Sequence, residues 1–133
     1  MKEDICSIHV SDFFEAKDGC PICGMNAELE KRAIDYITGP AMMEPDVRQE
    51  SNRAGFCGKH LEQMLKRQKR LPVALTLESH LLELKKRLGG GVLGSSLKKP
   101  ANKANSLAKC FVCERVEWGM ERQLATVFRL YEK

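Results

Sequence analysis

Cys20-Pro21-Ile22-Cys23-Gly24 places two sulfurs on one tight turn. A second segment, Cys57-Gly58-Lys59-His60, adds a thiol and an imidazole three residues apart. Thiolate and imidazole are the usual protein donors to zinc, and four of them close a tetrahedron around the ion. Pro21 stiffens the first turn and removes an amide donor that would need a partner. Gly24 is expected to take positive φ just after the second sulfur. Cys57 and His60 fall at a predicted helix start, so both can point to one face. A helix N-terminus also favours a thiolate through its dipole and free N–H groups. The expected site is therefore Cys20, Cys23, Cys57 and His60, with no position left for water. That is a structural ion rather than a catalytic one.

A third pair, Cys110-Phe111-Val112-Cys113, repeats the first after an interval of 90 residues. The likeness continues past the sulfurs. Arg32 falls opposite Arg122, Ile34 opposite Leu124, and Ile37 opposite Val127. Both units read as a Cys-x-x-Cys turn feeding an amphipathic helix. The counterpart of Cys57-x-x-His60 would fall near positions 147 and 150, past Lys133, so the chain reads as shortened at its C-terminus. Cys110 and Cys113 thus form a second, partial metal site. They could stay free or form a disulfide. They could also be joined by Cys6 and His9, by Cys20 and Cys23, or by another copy of the chain. Spacing alone leaves these completions open.

Several strings resemble an uncharacterised family of bacterial cysteine-rich proteins that carries a domain of unknown function. They are Cys6-Ser7-Ile8, Val10-Ser11-Asp12, Asp18 to Cys23, Tyr36 to Gly39, Met42 to Arg48, and Gly55-Phe56-Cys57 to His60. The resemblance covers roughly residues 5–133. It implies the paired cysteine pattern and supplies no activity. The chain departs from the family pattern by ending before the second Cys-x-x-His.

The elements that must position these ligands are helical nearly throughout. Met25, Leu29, Ala33, Ile34 and Ile37 recur at helical spacing, which predicts a helix from about Gly24 to Thr38, stopped by Gly39-Pro40. Pro45 suits the first position of a short helix to about Asn52, with Gly55 as its end. A third helix is expected over about 57–68, with Leu61, Met64 and Leu65 inward. A fourth should run from Pro72 to Leu88. Its stripe would comprise Leu71, Ala74, Leu75, Glu78, Leu81, Leu82, Lys85 and Leu88, widened by Leu77 and Leu84. His80 on that helix reads as a satisfied, partly buried histidine. Gly89-Gly90-Gly91 and the Gly/Ser/Lys/Asn-rich residues after it read as a flexible basic linker. A last helix is expected over about 112–131. Val116, Met120, Leu124, Val127, Phe128 and Tyr131 would face inward, with Trp118 at the stripe's edge.

These readings give an all-α protein. Residues 1–88 form a small helical bundle with a Cys3His zinc knuckle, 89–109 a flexible basic linker, and 110–133 a C-terminal helix belonging to a partial second repeat. Only 6% of the residues are aromatic, which argues against an all-β sandwich and against a stacking platform for single-stranded nucleic acid. A net charge of +4 is too mild for an obligate nucleic-acid binder. No secretory pattern opens the chain, and no run approaches the roughly 18 apolar residues that cross a bilayer. A cytoplasmic protein is expected, where thiols stay reduced and six cysteines favour metal over disulfides. The expected function is a non-catalytic, zinc-stabilised helical interaction or regulatory module. Its partner is an unidentified protein or a second copy met through the C-terminal helix. One alternative is a nucleic-acid-associated protein using the basic 85–109 segment. Another is a thiol redox protein using Cys-x-x-Cys, a use that normally sits on a βαβ pattern absent from this sequence.

Overall fold

The structure is a computed structural model that describes residues 5–17, 19–87 and 110–132, with side chains from Ser7 onward. The expected linker, 89–109, lies outside the described residues. All regular structure among the described residues is helical. It comprises α1 (Ile5–Glu15), α2 (Pro21–Ile37), a 3-10 turn (Pro40–Met43), α3 (Pro45–Ala54), α4 (Gly58–Lys66), α5 (Arg70–Arg87) and α6 (Phe111–Tyr131).

Prolines and glycines set the boundaries. Pro21 and Pro45 stand at the first positions of α2 and α3, where a missing N–H costs nothing. Gly55 ends α3 with φ 72° and ψ −162°, a conformation open in practice only to glycine, while its N–H donates to the Ser51 carbonyl at 2.8 Å. Gly24 is helical, contrary to expectation. The positive φ of that turn belongs to Gly19, at 85°, one residue before Cys20. What Gly24 provides is room, since a Cβ there would stand 2.9 Å from the Phe13 ring. Helix α5 starts at Arg70, two residues before the expected Pro72, which places Pro72 within its first turn. The first-turn amides of a helix have no internal partner, so the proline is tolerated there. Helix α1 was not among the expected elements.

The chain divides into two compact units. One holds α1, most of α2 and most of α6. Its buried apolar residues include Val10 and Met25, and Leu29 of α2 meets the backbone of α6 at Gly119, where a Cβ would stand 2.9 Å away. Phe14 and Tyr131 have ring centroids 5.7 Å apart. The C-terminal part of the expected α6 stripe is not inward, because Phe128 and Tyr131 are exposed while Gln123 and Thr126 are buried.

The other unit holds the end of α2, the 3-10 turn, α3, α4, α5 and the first residues of α6. Ile34, Ile37, Ala41, Val47, Ala54, Met64, Val73, Phe111 and Val112 are buried in it. Helix α5 lies on α3 through polar clamps. Arg48 donates to the Leu75 carbonyl at 3.3 Å, Asn52 Nδ2 to Ser79 Oγ at 3.0 Å, and Arg87 to the Arg53 carbonyl at 3.1 Å. These contacts select the α5 face carrying Val73, Thr76, Ser79, His80 and Arg87. The expected leucine stripe is turned outward, with Leu71, Leu81 and Leu82 exposed.

Candidate metal centre

Cys57 is the N-cap of α4, with extended backbone at φ −76° and ψ 161°. His60 lies in the first turn of the same helix and is buried. Cys110 immediately precedes α6, and Cys113 is one turn further along it. The extended cap swings the Cys57 sulfur over the first turn, toward the imidazole of His60. Cys57 Sγ is 3.2 Å from His60 Nδ1, and the same nitrogen is 3.3 Å from Cys110 Sγ. The four ligand atoms of Cys57, His60, Cys110 and Cys113 all lie within 4.8 Å of one another.

Ligand atoms held 2.0–2.3 Å from a tetrahedral ion stand about 3.3–3.8 Å from each other. The observed sulfur–nitrogen distances are already near that span. Nδ1 is the nitrogen aimed at both sulfurs, which leaves Nε2 as the outward atom of the ring. Two helix N-termini converge on the cluster, one after Cys57 and one after Cys110.

A second layer fixes how the two turns meet. The Phe111 amide donates to the Gly55 carbonyl at 2.9 Å, a backbone bond joining the residue after Cys110 to the turn before Cys57. The Phe56 and Phe111 rings, each adjacent to a ligand cysteine, pack edge to face at 6.3 Å. His80 of α5 stacks edge to face on Phe56 at 6.1 Å, and its Nδ1 donates to the Asn52 carbonyl at 3.0 Å. It is satisfied and half-buried, as the sequence suggested. A Cβ on Gly55 would come within 2.8 Å of the same imidazole.

The cluster that the structure brings together differs in one half from the expected set. Cys57 and His60 meet Cys110 and Cys113, the pair assigned above to a separate partial site, rather than Cys20 and Cys23. Motif spacing is the same for both Cys-x-x-Cys pairs, so only the bond from Phe111 to Gly55 and the aromatic contact distinguish them. A signal was present in the sequence, in that both turns carry a phenylalanine next to a cysteine. Cys20 and Cys23 stand exposed at the start of α2. The Cys23 amide donates to Cys20 Sγ at 3.4 Å, and this N–H holds the Cys20 thiol below its ordinary range. Hydrogen bonding to Cys20 pushes the Cys23 thiol up. The Cys6 side chain lies outside the described residues, as does most of the basic 85–109 segment. His9 is half-buried against Phe13, with ring centroids 5.1 Å apart. No described helix is long and apolar enough to cross a membrane.

Fold and site together define an all-helical protein with a Cys3His cluster able to hold a metal ion. The chain belongs to the Family of unknown function (DUF6062), whose model matches residues 1–133. No curated protein and no solved structure matches it.

Proposed function

We propose that Cys57, His60, Cys110 and Cys113 form a closed structural zinc site, and that the protein is a non-catalytic, zinc-stabilised helical interaction or regulatory module of the cytoplasm. The observation that carries this is the approach of four zinc-type donors, from two turns 50 residues apart, to within 4.8 Å of one another. Three thiolates and an imidazole suit zinc in preference to magnesium or calcium, which take oxygen donors. Four protein ligands leave no coordination position for a substrate or a reactive water. The ion would fasten the start of α6 to the start of α4.

An interaction role is supported by what α6 leaves uncovered. Trp118, Phe128 and Tyr131 are more than half exposed, and Trp118 carries the Arg122 guanidinium 4.6 Å over its ring. Aromatic and arginine side chains are the groups that most often anchor protein contacts.

Metal analysis of the purified, reduced chain should give one tightly held zinc at this site. Changing Cys57→Ser or Cys110→Ser should abolish that zinc and lower the thermal midpoint. A Cys57→Ser protein that keeps both its zinc and its melting temperature would refute the assignment.

A further inference from the structure

We infer that Cys20 and Cys23 are the sulfur half of a second metal site, one that takes a thiophilic divalent ion such as zinc. This goes beyond the four-residue centre and uses none of its ligands.

The first support comes from the chain's own internal comparison. Cys20 and Cys110 each stand immediately before a helix, and Cys23 and Cys113 are each the third residue of it. One of these two turns has its sulfurs beside a Cys-x-x-His turn, within ligand distance. The other presents the same pair of atoms in the same local frame.

The second support is a contact. Leu29 and Gly119 are 90 residues apart, which is the offset of the repeat, and they touch. A residue that meets its own counterpart lies on the axis relating two equivalent elements, as in any two-fold arrangement. Helices α2 and α6 therefore behave as paired copies crossing at equivalent positions, and the cysteines that open them are equivalent donors.

The third support is the state of the pair itself. Both sulfurs are exposed, so an incoming ion or donor can reach them. The Cys23 amide points at Cys20 Sγ and stabilises negative charge there. Among the described residues no third His, Cys, Asp or Glu joins them into a metal-binding group. Two thiolates occupy two of zinc's four positions, and the other two remain for thiol or imidazole donors. One donor pair of the right chemistry is the same turn of a second copy, which would give four sulfurs around one ion across a two-fold axis.

Zinc alone is the probe. The full chain, kept reduced, is titrated with zinc against a competing chelator, and the Cys20→Ser/Cys23→Ser variant is treated identically. Native protein should take up zinc in two steps, and the variant should stop at one equivalent with unchanged circular dichroism. A weaker second step of about half an equivalent, accompanied by dimer in sedimentation, identifies a shared site; a full equivalent on the monomer identifies a site finished by water or added donors. Both outcomes support the half-site. Native chain and variant stopping at the same total would overturn it. So would an intact mass showing Cys20 and Cys23 joined as a disulfide under the reducing conditions of the titration. Loss of the first step in the native chain would instead strike the Cys57/His60/Cys110/Cys113 reading, because the variant leaves those four residues intact.

Discussion

At the scale of single residues, the four donors of the cluster are held by neighbours that are not themselves donors. Gly55 is the clearest case. Its backbone conformation is one that side-chain-bearing residues rarely adopt, its carbonyl receives the Phe111 amide, and its α-carbon faces the His80 ring. Gly55→Ala should therefore cost about 1–3 kcal/mol of backbone strain, plus the clash with the imidazole. It should also weaken zinc binding, because the turn that presents Cys57 must shift. The two contributions separate in a double-mutant cycle. His80→Ala removes the atoms that a Cβ at position 55 would strike, while the Asn52 carbonyl loses its donor. Gly55→Ala should thus be less damaging in the His80→Ala background than alone, with the strain component remaining. Denaturant unfolding of the four zinc-loaded proteins measures this. Strictly additive losses would mean that His80 does not press on the turn.

At the scale of elements, the sequence pattern and the structure disagree most usefully in α5. Helix α2 was legible because its apolar residues fall on one arc, and Met25, Ala33, Ile34 and Ile37 are indeed buried. In α5 the leucines spread around the helix, so periodicity does not single out one face. The decision falls to polar groups that a hydrophobicity pattern ignores: the Arg48 and Asn52 side chains and the Arg53 carbonyl on α3, and Ser79, His80 and Arg87 on α5. Arg48 illustrates the point, since a charged side chain on α3 reaches the Leu75 carbonyl of α5. The orientation makes a prediction opposite in sign to the one a leucine stripe would make. Leu81→Glu, at a position 61% exposed, should change stability by no more than about 0.5 kcal/mol. Val73→Ala, at 4% exposure, should cost about 1–3 kcal/mol through lost burial and the small cavity left behind. Thermal or urea unfolding of the two variants checks the ranking, and a larger loss at Leu81 would return the leucine stripe to the core.

At the scale of the whole molecule, both the helical class and the four-donor chemistry were legible, and the pairing of the donors was not. Cys20-x-x-Cys23 and Cys110-x-x-Cys113 are interchangeable as strings, and contact between turns 50 residues apart is a property of packing. With that pairing a bound ion would be a long-range fastener. Zinc held by Cys57 and Cys110 would close a loop that contains α4 and α5. An ion that binds only the folded chain stabilises it by mass action, by about 2.7 kcal/mol at a free concentration one hundred times its dissociation constant. Each further tenfold rise in free zinc should add about 1.4 kcal/mol, so the melting temperature should climb with buffered zinc without reaching a plateau. The ligands must also shed protons to bind, so this zinc-dependent gain should shrink as the solution is acidified. Cys110→Ser removes one sulfur of the fastener while keeping its size close to that of the native side chain. Its melting temperature should lie near that of chelator-treated native protein and should respond little to zinc in the range where the native curve climbs. A native curve as flat as that of the variant would mean that the four donors gather without an ion to hold them.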